Sequence, residues 1–196
     1  NNMCGARCFT KRGKCMAWTT RPRLPKQSVR LLVFHWTGGE GGALQVHNTL
    51  ANRGLSVHEV IDRDGKDFQF EDENTVTLHA SYVNGFSYGF EVANPGDGLV
   101  NLRNRPRYEC VIHGRKVRAC EFYPAQIETM VRRAEELSAK FDLPRQFPKT
   151  TDVIPAAKLM NFRGTVGHFH VSPEKRDPGT QFFAELAKRG WAAVDV

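Results

Sequence analysis

The chain is expected to fold as one α/β domain, with a mixed central β-sheet flanked by helices. Three observations predict this. Short apolar runs with strand character alternate with helical stretches, at least one hairpin signal lies among them, and 196 residues suffice to bury one sizeable core. Residues 1–28 read as a basic, aperiodic N-terminal extension containing Pro22 and Pro25, and residues 29–190 read as the domain.

Arg30 to Thr37 is a short apolar run rich in Leu, Val and Phe, which predicts a buried strand. The glycines around Glu40 break it into a loop. Ala43 to Arg53 has helical character, and Gly54 fits the position just past a helix end. Ser56 to Ile61 and Asp67 to Phe70 are expected strands joined by Arg63-Asp64-Gly65, since Asp and Gly both tolerate positive φ. Tyr88 to Ala93 is another strand, stopped by Asn94-Pro95-Gly96. An insertion at about 99–122 holds a small hairpin around His113-Gly114. Pro124 to Phe141 is the clearest helix, with Ile127, Met130, Val131, Ala134, Leu137 and Phe141 on one face. Residues 142–163 are Pro-rich, with a short helix near Ala156–Met160. Phe162 to Val171 reads as a strand, and Asp177-Pro178 starts a final helix through Phe182, Phe183 and Leu186 to Gly190.

The formal net charge of +7 favours encounter with polyanions but does not choose among nucleic acid, anionic lipid and anionic cell wall. No RNP-like, zinc-finger or helix-turn-helix pattern is present, so no nucleic-acid partner is expected. No stretch approaches the ~20 apolar residues of a membrane span, and no apolar signal-peptide region is visible. The five cysteines are an odd number. Cys110 and Cys120 read equally as a cross-strand disulfide or as two reduced thiols. Cys4, Cys8 and Cys15 lack a fourth partner at the usual spacing for a second zinc site.

Three distant stretches each offer one metal-binding side chain: His35, His168 and Asp177. Two histidines and a carboxylate are a common ligand set for a catalytic zinc, with the fourth position open to water. Each has a plainer alternative. His35 at the end of a buried strand, taken alone, suits a hydrogen-bonded core histidine better than a ligand; the Gly-rich loop behind it shifts that reading by opening the strand end to substrate. His168 and His170 lie two apart on the expected strand and share its face; His168 is preferred as ligand, with His170 a neighbour. Asp177 alone would serve as a helix cap. Glu91 suits a general base, with a buried salt bridge as its alternative, because an unpaired buried carboxylate is costly. Lys175, two residues before Asp177, suits stabilisation of an oxyanion.

These elements also occur in a specific order. A strand ending in His-x-Thr is Phe34-His35-Trp36-Thr37. A hairpin of the form Ser-x-His-x-x-Ile-x-Arg-Asp-Gly is Ser56 to Gly65. A histidine before a small residue is His79-Ala80. The run Ser-x-Gly-x-Glu is Ser87 to Glu91, and Gly167-His168 is followed by Lys175-Arg176-Asp177-Pro178-Gly179. Over about residues 29–187 the chain resembles the type 2 N-acetylmuramoyl-L-alanine amidases, a family that includes phage lysozyme-amidases and peptidoglycan recognition proteins.

The resemblance implies Zn2+ held by His35, His168 and Asp177, with Glu91 as general base and Lys175 as stabiliser of the tetrahedral intermediate. It implies a peptidoglycan or muropeptide substrate, cleaved at the amide between the lactyl group of N-acetylmuramic acid and L-alanine. His58, His79 and Trp36 are then expected near the substrate, with structural roles equally open to the two histidines. The alternative is a peptidoglycan-binding recognition module of the same fold that does not hydrolyse. Val57 stands where some relatives carry a catalytic tyrosine, and Asp177 where some carry cysteine; both point to the branch working through a strand glutamate. The stretch from His168 to Asp177 is one residue shorter than that branch leads one to expect. Action on the cell wall fits a phage lysin or a secreted enzyme better than a cytoplasmic recycling enzyme.

Overall fold

The run Leu31–Trp36 is buried along almost its whole length because it lies in the middle of the sheet, covered on both faces, which is why it reads as a continuous apolar run rather than an alternating one. The computed structural model describes residues 19–23, 28–39, 41–98 and 105–196. Cys4, Cys8 and Cys15, and with them the question of a second zinc site, lie outside the described residues.

The elements are, in chain order, Thr20–Pro22 (β1), Leu31–Trp36 (β2), Ala43–Asn52 (α1), Glu59–Ile61 (β3), Asp67–Gln69 (β4), Thr75–Thr77 (β5), Ser87–Val92 (β6), Arg107–Ile112 (β7), Arg115–Cys120 (β8), Pro124–Lys140 (α2), Gln146–Pro148 (β9), Ala156–Leu159 (α3), Gly164–Gly167 (β10), Gln181–Lys188 (α4) and Ala192–Val194 (β11). The five-stranded sheet runs β10-β2-β6-β3-β4. Its first four strands are parallel and β4 returns antiparallel. The mixed sheet expected from the sequence is therefore present.

One face carries Leu32, Phe34, Ile61, Tyr88, Phe90 and Val92, packed against α2 and α4. Phe34 and Phe90 stack there with centroids 4.4 Å apart. The apolar stripe of α2 supplies Ile127, Met130, Val131, Ala134 and Leu137. Each buried Ile, Met, Val or Leu among them stabilises the fold by about 1.5–3 kcal/mol relative to exposure. On the opposite face, Leu31, Val33 and Val166 pack with Val83, Ile154, Leu159 and Phe162. Helix α1 covers Val57 and Val60 on that same side.

Helix α1 ends as the sequence predicts. Gly54 has φ +67°, its N–H bonds Ala51 O, and Leu55 N–H bonds Leu50 O, which together make a Schellman cap. The turn after β3 needs only one residue of positive φ, Gly65 at +81°; Asp64 stays in an ordinary region. A side chain at Gly65 would meet Ala125 O at 2.6 Å, so the turn lies tight against the start of α2. The insertion forms the expected hairpin, β7 and β8, around His113 and Gly114, both with positive φ as a two-residue type I′ turn requires. Cys110 lies opposite Val117 and Cys120 opposite Arg107, and both are free thiols, so the cross-strand disulfide does not form.

Three expectations need correction. The strand expected over Phe162 to Val171 stops at Gly167, and His168–His170 form a 3₁₀ turn. Local bonds divert it: Gly167 N–H donates to His170 Nδ1 at 3.0 Å and Val171 N–H to His168 O at 2.9 Å. The last helix begins at Gln181 with Thr180 before it, not at Asp177-Pro178. Residues 20–23, expected within the extension, already belong to the fold. β1 pairs antiparallel with β5, and the Arg23 guanidinium donates to the carbonyls of Glu73, Gly85, Thr75 and Ser87.

Candidate metal centre and active site

Parallel neighbours bring registered residues to the same face of a sheet. His35 is registered with Glu91, and Glu91 with Val60, so all three point to the side covered by α1. His35 and Glu91 stand at the C-terminal ends of β2 and β6. The loop Thr37–Gly39 turns the chain away there, and a cavity of about 470 Å³ opens beyond them. His35, His79, Glu91, His168, Lys175 and Asp177 line it.

His168 follows the last residue of β10, which pairs with β2, so it arrives beside His35. The chain then loops back. Gly167 makes this possible, since a side chain there would meet Pro178 at 2.8 Å. Phe169 N–H donates to Asp177 O at 3.2 Å and fixes the return. His113, in the hairpin turn, adds a clamp from outside, its ring nitrogens 3.1 Å and 2.9 Å from the carbonyls of Pro173 and Phe169.

The result is a close triangle of three atoms. His35 Nδ1 lies 2.9 Å from His168 Nδ1 and 2.9 Å from Asp177 Oδ2, and His168 Nδ1 lies 3.0 Å from the same oxygen. All three side chains are buried. Tetrahedral zinc at about 2.0–2.1 Å from such ligands sets neighbouring ligand atoms roughly 3.3 Å apart. The triangle is close to that size, its atoms are electron-pair donors, and its open side faces the cavity. The donor set therefore fits a zinc ion with one position left for water or substrate. Asp177 caps no helix, since α4 starts beyond it, and its carboxylate is committed to the two imidazoles.

The electrostatics follow from burial. Loss of solvation, with the neighbouring His168 second, lowers His35 to about 4, so its ring is a neutral electron-pair donor near pH 7. Burial alone would raise Asp177, but its close contacts with His168 and His35 overcome it and hold this carboxyl well below its ordinary range. Glu91 is pushed well above the usual carboxylate value, first by desolvation and then by the negative charge of Asp177; Lys175 and Arg53 oppose this. Its Oε2 is buried without a hydrogen-bond partner. Such an oxygen is costly unless something polar occupies the cavity beside it.

The remaining expected residues divide. His79 lines the cavity. His58 does not: it is fully buried, its Nδ1 accepts from Gly89 N–H and Thr77 Oγ, and its Nε2–H donates to Thr75 O, so its role is structural. Trp36 borders the cavity, but its indole packs over Gly96 and Gly179 beside the α2–α4 core. His170 is a neighbour and no ligand, its Nε2–H donating to Thr150 O at 2.9 Å.

The sequence reading missed the wall supplied by α1, namely Gln45, Thr49, Leu50 and Arg53. A signal for it exists, because a helix entered directly from the loop behind His35 has to pass the same strand end. It also missed Asp62, whose Oδ2 accepts Ala43 N–H at 3.1 Å and so anchors the start of that helix.

A family model described as N-acetylmuramoyl-L-alanine amidase matches residues 25–180. A search of curated proteins finds no match to the sequence. Among solved structures, the fold is similar to the N-acetylmuramyl-L-alanine amidase AmiD of E. coli, in complex with the substrate anhydro-N-acetylmuramic acid-L-Ala-D-γ-Glu-L-Lys. The TM-score is 0.59 at 23% identity, covering 94% of this chain and 63% of that one. It is similar to the N-acetylmuramoyl-L-alanine amidase LysC of Clostridium intestinale (TM-score 0.55, 18% identity, 91% and 97% covered). It is also similar to a point mutant of the Drosophila peptidoglycan recognition protein LB in complex with tracheal cytotoxin (TM-score 0.56, 14% identity, 97% and 92% covered). The chain spans less than two thirds of the length of AmiD.

Proposed function

Because the chain belongs to the N-acetylmuramoyl-L-alanine amidase family, we propose that it is a zinc-dependent hydrolase of the amide between N-acetylmuramic acid and L-alanine, acting on peptidoglycan or its muropeptides. The observation that carries this reading is the triangle of His35 Nδ1, His168 Nδ1 and Asp177 Oδ2 opening onto the same cavity as Glu91 and Lys175. AmiD with an anhydromuramoyl peptide and the Drosophila protein with tracheal cytotoxin support the substrate class. No helix among the described residues is long and apolar enough to cross a membrane.

A zinc ion bound by the triangle would polarise the scissile carbonyl and acidify a water. Glu91 takes the proton of the attacking water. Its buried position makes its carboxylate a stronger base than an exposed one. As the amide carbon–nitrogen bond breaks, the same carboxyl returns that proton to the L-alanine nitrogen, leaving a free amine and a lactyl carboxylate. Lys175, whose charge is felt at both His35 and Glu91, faces the negative charge that develops on the former carbonyl oxygen.

A recognition module that binds a muropeptide without cleaving it is the second reading; it is suggested by the likeness to Drosophila peptidoglycan recognition proteins, one of them seen with tracheal cytotoxin as a point mutant. A pure binder has no need of Glu91 and Lys175 in the cavity, which weighs against it. The deciding experiment combines zinc analysis of the purified protein with product masses from intact sacculi and soluble muropeptides. Stoichiometric zinc and peptides newly bearing a free L-alanine amine are expected, and chelator should abolish release. Intact muropeptides recovered from a zinc-loaded protein would favour the binder.

A further inference from the structure

Ser87, Gly89 and Glu91 alternate along β6 and share one face. Glu91 accounts for itself in the cavity. The other two converge on a single ring. Ser87 Oγ lies 3.0 Å from His79 Nε2. At Gly89, a side chain would meet three atoms of the His79 ring at 2.7 Å, so the ring lies directly on the bare backbone. Asn84 Oδ1 accepts the backbone N–H groups of His79 and Ala80, at 3.1 and 2.7 Å, and holds that segment in place. The other nitrogen of the ring, Nδ1, lies 3.0 Å from His35 Nε2, with the two rings nearly perpendicular at 87°.

A neutral imidazole carries one N–H. For His35 Nδ1 to offer its electron pair to a cation, the proton has to sit on Nε2, where His79 Nδ1 accepts it. His79 then carries its own proton on Nε2 and donates it to Ser87 Oγ. The opposite direction would put a proton on His35 Nδ1, inside the ligand triangle and 2.9 Å from Asp177 Oδ2. We propose that His79 is a positioning residue: seated on Gly89 and held by Ser87, it accepts the Nε2–H of His35 and thereby fixes the tautomer and ring orientation of that zinc ligand. This rests on the reading of His35 as a ligand, and it reassigns His79 from substrate contact to ligand support. Partners of this kind typically change metal affinity by 10–100-fold.

The test measures zinc affinity of the full chain by competition against a chelator, beside thermal stability. His79→Leu should weaken zinc binding by about 10–100-fold. Ser87→Ala, which removes one oxygen, should weaken it less but in the same direction, and Gly89→Ala should do so by displacing the ring. His79→Asn, whose Oδ1 stands near the position of Nδ1, should restore most of the loss. In the zinc-loaded protein, a slowly exchanging downfield proton of His35 Nε2–H should appear with wild type and His79→Asn and vanish with His79→Leu. Zinc affinity within twofold of wild type in both His79→Leu and Ser87→Ala overturns the proposal while leaving the zinc amidase reading intact. So does a loss that merely follows thermal stability and is not rescued by Asn. Should His79→Leu not fold, Ser87→Ala decides. A wild-type protein that takes up no zinc overturns the metal reading, and the positioning role falls with it.

Discussion

His35 and Glu91 stand in register at the C-terminal ends of adjacent parallel strands, β2 and β6. Strand spacing alone then sets the separation of their backbones at about 4.8 Å and turns both side chains to one face. A candidate ligand and a candidate base thus stand on adjacent interior strands of the sheet rather than on loops. Only His168 and Asp177 come from outside the strands, and hydrogen bonds of the Gly167 and Phe169 N–H groups tie down their segments.

Glu91→Gln should separate metal binding from turnover. The amide keeps the size of the side chain and cannot take a proton. Zinc content is expected to stay at the wild-type level while the release of peptide falls by about 10²–10⁴-fold, the range typical of a general base. Product release within tenfold of wild type would remove Glu91 from the proton-transfer role.

Asp177→Ala should behave differently. It removes the one anionic corner of the triangle and leaves two imidazole nitrogens 2.9 Å apart. Loss of stoichiometric zinc and of activity together is expected. His168→Ala should do the same, and dialysis of wild type against chelator should copy both, reversed by added zinc. Full activity in the zinc-free protein would contradict the assignment.

What could be read from the sequence was whatever the chain keeps local. Leu31-Leu32-Val33-Phe34 announces a buried strand, the stripe from Ile127 to Leu137 announces α2, and each candidate ligand sits in its own short motif. Long-range pairing was not legible. β1 has three residues and no periodicity, and it exists because β5, more than fifty residues on, offers it an edge. The role of His58 was hidden for the same reason, since its partners Thr75, Thr77 and Gly89 come from two later segments. At His168–His170 the apolar pattern continues past the true strand end, and the bonds from Gly167 N–H to His170 Nδ1 and from Val171 N–H to His168 O show where it stops.

Glu59 and Arg133, 74 residues apart, form a structural ion pair on the face away from the cavity. Glu59 is buried, and Tyr88 Oη–H also donates to it at 2.6 Å. Arg133→Met should leave this carboxylate buried without its cation and cost about 3–5 kcal/mol. Replacing both partners by apolar residues should cost much less, because the desolvated charge goes with them. Chemical denaturation of the two variants provides the comparison. Activity of the folded Arg133→Met protein should be unchanged, since neither residue lines the cavity.

The acid limit of the fold should carry the signature of His58. Burial, opposed by its bond to Thr75 O, lowers this ring to about 3 from an ordinary 6.5. The folded protein keeps it neutral where the unfolded chain would bind a proton. Above pH 6.5 both states are neutral there and the group contributes no pH dependence. Between about 6.5 and 3 the unfolded chain holds one more proton, so stability falls as pH falls, by about 1.4 kcal/mol per pH unit from this group. His58→Asn keeps an oxygen near the Nδ1 acceptor and cannot titrate. It should be less stable than wild type at pH 7, through lost packing against Tyr88 and the lost bond to Thr75 O, yet its stability should fall with acid by one proton less. Urea midpoints at pH 7, 6 and 5 read both effects, and the difference between the two proteins cancels the groups they share. Parallel pH profiles would mean that His58 is already protonated in the folded state, which its two donors at Nδ1, Gly89 N–H and Thr77 Oγ, argue against.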